Sequence, residues 1–149
     1  MSISFKQNCS PTDVALRLKA CAERARNLRP VLVPASIAIK SLIIDSFAKS
    51  ATPEGIKWKP LAASTLRYKH GNTIGIETGR LLGSVYAMPE GNNSIRWGAS
   101  AQYAKFFNSG TLFQPGRAFM PYGKGGNSKI LFNQISRWIG LYISKGIKP

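Results

Sequence analysis

The chain has 149 residues, 44% of them hydrophobic, so its length and composition fit one domain with a packed core and exclude wholesale disorder. It carries 21 Lys and Arg against 6 Asp and Glu, a formal charge of +15, which draws it to polyanions with a salt-sensitive attraction. The longest apolar run, residues 37–47, is broken by Lys40 and Asp45 and falls short of the ~18–20 residues that span a bilayer. No apolar stretch follows Lys6, so no secretory signal is read, and a cytoplasmic protein without membrane contact is expected.

In chain order, Ser10-Pro11-Thr12-Asp13 reads as a helix start, with Ser10 as cap and Pro11 in the first turn. Val14, Leu18, Cys21, Ala25 and Leu28 recur at steps of four and three, which makes one apolar helix face. Pro30 and Pro34 punctuate, and a second helix is expected over 35–49. Its apolar residues (Ile37, Ile39, Leu42, Ile43, Ile44, Phe47) spread too widely for a one-sided surface helix, so it should meet more than one neighbour. Pro53, Gly55 and Pro60 mark a loop. A short helix over 62–68, a Gly-rich segment over 70–75 and a second short helix opened by Thr78-Gly79 follow. "SVYAMPEGNNSIRWG" predicts two short strands joined by a turn at Glu90-Gly91-Asn92-Asn93. Residues 103–108 read as core, "QPGRAFMPYGKGGNSK" as a loop, and Leu131, Ile135, Trp138 and Tyr142 as the face of a C-terminal amphipathic helix. The expected class is α+β: helices at both ends and a small antiparallel element between, in a single domain over 1–149 with mobile ends at 1–10 and 145–149.

Motifs for chemistry are sparse. His70 is the only histidine and sits in a basic loop, so a catalytic triad has one candidate and no acid close in sequence. Cys9 and Cys21 match no zinc spacing and read as plain thiols. The scattered acids form no metal cluster and no paired hydrolytic carboxylates, and "GKGGNSK" lacks the spacing of a phosphate loop. It reads as a flexible loop before a helix capped by Asn127 or Ser128, whose N-terminus could hold an anion. No cofactor and no enzymatic activity are expected. Trp58, Tyr68, Trp97, Tyr103, Phe106 and Phe107 could stack bases beside Lys and Arg, which keeps a basic nucleic-acid-binding protein as the alternative.

The landmarks also stand in a recognisable order. Trp58, Pro60, Leu61, Thr65 and Lys69 come first, then Thr78, Gly79, Leu81 and Ser84. Gly98, Tyr103, Ala104 and Gly110 follow, and Arg117, Ala118 and Phe119 close the set. In this order and with these gaps, over about residues 35–120, the chain resembles the phage virion morphogenesis family, the tail completion proteins of Mu-like and P2-like phages. It departs from the family pattern at Phe106-Phe107-Asn108-Ser109 and at Pro115-Gly116. The resemblance implies a minor structural protein at the neck or tail end, finishing the tail or joining it to the head. It implies repeated copies in a ring, phage neck and tail proteins as partners, contact with DNA near the portal as an option, and no catalytic residues. In this reading Trp58 and Leu61 anchor the loop on the core, Pro60 stiffens it and Gly79 serves a tight turn or close approach. Arg117 pairs with a carboxylate or carbonyls, and Lys57, Lys59, Lys124 and Lys129 face an acidic partner.

Overall fold

The computed structural model describes residues 10–149 apart from His70, Asn72 and Lys124. The expectations for residues 1–9, including Cys9, and for His70 and Lys124 therefore lie outside the described residues. The elements run α1 (Pro11–Arg26), α2 (Arg29–Lys49), α3 (Ala63–Tyr68), α4 (Arg80–Gly83), β1 (Val85–Glu90), β2 (Ser94–Ala99), α5 (Ala104–Ser109) and α6 (Gly126–Lys145). This is the expected α+β order.

Helix α2 is the spine. It begins six residues before the expected boundary and carries Pro34 inside it. Pro34 forfeits only the bond to the carbonyl of Pro30, in the second turn, and the burial of Val31 and Leu32 on the same side as Ala35 holds that turn in place. Val31, Ala35, Ile39, Ile43 and Phe47 form a buried stripe at steps of four, against β1, β2 and α6. Val33, Ile37 and Ile44 lie on the other side, exposed. The apolar breadth of α2 is thus one docked face plus an open one. By length and composition it is as long and apolar as a bilayer-crossing helix, although nearly half of it is buried inside the fold. The run 37–47 understates this, because the longer helix dilutes Lys40 and Asp45.

Strands β1 and β2 pair antiparallel, with Val85 opposite Ala99 and Glu90 opposite Ser94. Val85, Ala87, Ile95, Trp97 and Ala99 turn toward the core, the period-two alternation of a half-buried hairpin. A two-stranded sheet alone is marginal in water, and α2 supplies the backing. Gly98 lies opposite Tyr86, and a Cβ there would come within 2.9 Å of the Tyr86 hydroxyl, so the ring lies across the glycine.

Helix α1 departs from its expected role. Val14 and Leu18 of the predicted apolar face are exposed, and Ala20, Cys21 and Arg24 reach half-burial. Its tie to the fold is polar. The Arg24 guanidinium donates to the carbonyl oxygens of Ile143 (3.0 Å) and Ser144 (3.3 Å), a cation on the C-terminal end of α6. Ser10 occupies the cap position, but its hydroxyl contacts Thr12 Oγ1 rather than a free backbone amide.

Chain reversal after α2 rests on Ser50, which takes a left-handed φ of 47°. Ser50 then accepts a bond from the Trp58 amide at 2.9 Å, and this returns the tryptophan to the end of α2. Trp58 is 6% exposed and stands edge-on to Phe47 (5.4 Å) and Phe107 (5.6 Å). Phe119, fully buried, lies 5.1 Å from Phe47. The indole Nε1–H donates to the carbonyl of Ala118 at 2.9 Å. Each such ring removes about 150–250 Å² from water, worth roughly 4–6 kcal/mol at ~25 cal/mol per Å². An exposed ion pair such as Lys49–Asp45 contributes at most about 1 kcal/mol, so the aromatic cluster dominates the fold's stability.

Helix α6 starts at Gly126 with Gly125 at the cap position, not with Asn127 or Ser128 as cap. Ser128 is fully buried inside the first turn, its hydroxyl within 2.8 Å of the Gly125 carbonyl and 2.9 Å of Glu54 Oε1. The chain's own Glu54 therefore sits where an external anion was expected. Gly126, at φ +47°, packs so closely on the Glu54 backbone that a Cβ would overlap it.

Two outcomes follow for urea unfolding. Trp58→Phe should lower stability by about 1–3 kcal/mol, the cost of leaving the Ala118 carbonyl without its donor; an unchanged midpoint would show that the indole bond contributes nothing. Gly126→Ala should destabilise, while Gly140→Ala, where a Cβ meets open space on the same helix, should stabilise by about 0.5–1 kcal/mol. Equal effects at the two glycines would contradict the packing of Glu54 against α6.

Candidate functional site

The ordered residues of the sequence pattern fall into one packed frame around two open grooves on either side of α3. The larger, about 580 Å³, is walled by Leu61, Thr65 and Tyr68 on one side and by residues 75–81 with Tyr103 and Phe107 on the other. The smaller, about 440 Å³, runs between residues 59–65 and residues 113–117. Leu61 and Thr65 line both.

Several pattern residues have a definable task. Trp58, Leu81 (2% exposed), Ala104 (7%) and Phe119 are buried together in the core, and Leu81 also lines the larger groove. Gly79 adopts a left-handed φ of +72° ahead of α4, and a Cβ there would meet nothing, so the residue serves the turn and not a close approach. The Ser84 hydroxyl donates to the Leu81 carbonyl at 2.7 Å, closing α4, and the Ser84 carbonyl receives the Ser100 amide at 3.1 Å. Lys69 has a side chain only 8% exposed; its ammonium reaches the Thr73 carbonyl and stands 4.0 Å from Glu77. Pro60, Thr65, Thr78 and Tyr103 are exposed along the groove walls.

The basic candidates divide. Lys57 turns its ammonium back onto the Lys49 carbonyl at 3.0 Å, capping α2 with a cation. Lys59 and Lys129 are exposed, Lys59 on the smaller groove and Lys129 in the first turns of α6, away from both grooves. Among the described residues, ion pairs join Lys49 to Asp45, Lys69 to Glu77 and Arg96 to Glu90. Most of the positive charge thus has no intramolecular carboxylate. Arg117 donates through Nη2 to the Lys59 carbonyl at 3.3 Å, while its Nε is buried without a hydrogen-bond partner. Among the described residues, no three His, Cys, Asp or Glu side chains come together.

Three features escape sequence reasoning. Leu112 and Phe113 stand almost wholly in solvent, at 99% and 94% exposure, on a loop that sequence patterns left unassigned. The pair of glycines flanking "TLFQP" is the signal that marks it. Asn108, in the region that departs from the family pattern, accepts the amides of Phe119 (3.0 Å) and Met120 (3.2 Å) on Oδ1 and so positions the segment carrying Arg117. Glu54 has no motif at all, since its partners come from a helix far along the chain.

Comparison with known proteins gives one informative likeness. The chain is 33% identical over 89 residues to the Mu-like prophage FluMu G protein 1 of Haemophilus influenzae, a match covering 56% of this chain and 61% of that protein. The chain thus spans about three fifths of the curated relative it matches. No family model and no solved structure matches. The likeness supports a phage-related family.

Proposed function

We infer that the chain is a structural protein of a phage particle that completes the tail or joins tail to head at the neck, without enzymatic activity. The observation that carries this reading is the pattern from Trp58 to Phe119. Its residues divide between the buried core (Trp58, Ala104, Phe119) and the lining of two adjacent open grooves (among them Pro60, Leu61, Thr65, Thr78, Tyr103 and Arg117), as a docking frame requires. Similarity to a Mu-like prophage protein agrees with it. Exposed apolar residues on the outer side of α2 (Val33, Ile37, Ile44) and on α1 (Val14, Leu16, Leu18) suit a subunit whose neighbours cover them in a ring. The unpaired positive charge suits an acidic partner at the neck, with Lys59 and Lys129 outward.

The same charge favours a second reading, a basic nucleic-acid-binding protein. Salt separates the two. Incidental contact through ~6–10 phosphates loses about 10³–10⁵ in affinity between 50 and 200 mM salt. A structural subunit should release duplex DNA near physiological salt, and retention there would favour the second reading. For the assembly role, electron microscopy of lysates from a prophage lacking the gene should show separate full heads and tails, or tails with malformed ends. Normal infectious particles from that deletion would overturn the proposal.

A further inference from the structure

The loop between Gly110 and Gly116 is held out from the fold rather than loosely attached to it. The Thr111 amide donates to the Gln114 carbonyl at 2.9 Å, and the amides of Gln114 (3.1 Å) and Phe113 (3.3 Å) reach Thr111 Oγ1. The Arg117 amide closes the neck on the Phe107 carbonyl at 2.8 Å. Gly110 takes φ +81°, and a Cβ on it would lie 2.5 Å from the Gly116 nitrogen, so only glycine lets the two strands of the neck touch. On this braced tip stand Leu112 and Phe113, exposed at 99% and 94%. A structured turn that presents two large apolar side chains to water has the form of an interface anchor.

Beside the tip lies the smaller groove, lined by both Phe113 and Arg117. The buried Arg117 Nε has no acceptor, and no carboxylate lies within 4.0 Å of the guanidinium. All six acids of the chain are among the described residues, so none remains to answer it. Lys59 adds a second exposed cation on the same wall. A guanidinium with open donors is satisfied best by a carboxylate.

We propose that the groove between residues 59–65 and 113–117 docks an acidic segment of a different protein, whose carboxylate pairs with Arg117 and Lys59 while a neighbouring apolar side chain packs on Leu112 and Phe113. Charge selects this occupant. A second copy of the chain brings +15 of like charge. Of its six acids, Asp45, Glu77 and Glu90 are paired and Glu54 accepts from Ser128, which leaves Asp13 and Glu23 on α1 as the carboxylates it could offer. Nucleic acid would answer Arg117 and Lys59 through phosphate, but its apolar contacts are confined to base faces and the thymine methyl, a poorer match for the adjacent Leu112 and Phe113 than an aliphatic or aromatic side chain next to a carboxylate. The proposal deepens the assembly reading and rests on it for the nature of the partner.

Two measurements test it. The first uses fluorescent poly(Glu) and the copolymer poly(Glu,Tyr) as probes at about 0.15 M salt. The copolymer should bind roughly tenfold more tightly than poly(Glu). Combined Leu112→Ala and Phe113→Ala should abolish that preference with an unchanged melting temperature, since both side chains are free of packing. Arg117→Lys, which keeps the charge and loses the fork of donors, should weaken the copolymer severalfold. Equal affinity for the two polymers, or a preference that survives the double substitution, overturns the proposal; so does tighter binding of an oligothymidylate than of the copolymer. The second returns the double variant to the prophage lacking the gene, where it should fail to restore infectious particles. Full rescue by that variant, where the deletion gives no particles, removes the docking site and leaves the assembly reading standing. Infectious particles from the deletion itself remove the assembly reading, and polymer binding then still decides the docking site.

Discussion

The hydrogen bond from the Trp58 indole to the Ala118 carbonyl, set inside the rings of Phe47, Phe107 and Phe119, is the contact on which the rest of the molecule depends. It joins segments sixty residues apart in sequence: the loop leaving α2 and the loop between α5 and α6. The smaller groove lies along that seam. With the seam closed, Lys59, Pro60, Phe113 and Arg117 line one groove, and Arg117 Nη2 donates to the Lys59 carbonyl. Apolar burial supplies the energy, and the single indole bond supplies the register, because a ring packed among other rings can slide whereas a donor on its acceptor cannot.

The charge distribution works against the isolated subunit. Twenty-one cations and six anions in 149 residues repel one another, and the three ion pairs found among the described residues neutralise little of that excess. Several cations are used inside the fold: Arg24 and Lys57 on helix C-terminal carbonyls, Lys69 on Thr73 and Glu77. The remainder is available for encounter. A partner that brings carboxylates relieves self-repulsion as well as making contacts, so docking and stability are linked through the same term.

Sequence periodicity carries the architecture well where one face is buried. The C-terminal helix, the hairpin with its turn at residues 91–93 and the short helices flanking Gly79 are all legible from spacing and punctuation. The anchoring of Trp58 is legible from residue type. The failures have physical causes. Pro34 reads as a boundary, yet one missing bond is outweighed by the burial of its neighbours. The apolar steps of α1 mimic a core face, but its N-terminal half has no described neighbour to cover Val14 and Leu18. Asn127 and Ser128 look like caps, whereas tertiary packing of Glu54 sets the start of α6 from outside the local sequence. The Leu112–Phe113 tip is invisible to periodicity because a five-residue turn has none. Its pinching glycines become informative only once the neck is seen to close.

We propose this chain as a component of the particle, seated where tail meets head. Immunogold labelling of purified virions, followed by electron microscopy, tests it most directly. Gold confined to the neck or the adjoining end of the tail is the predicted result. Particles that are infectious and carry no label, with the chain left in the soluble lysate, would contradict it.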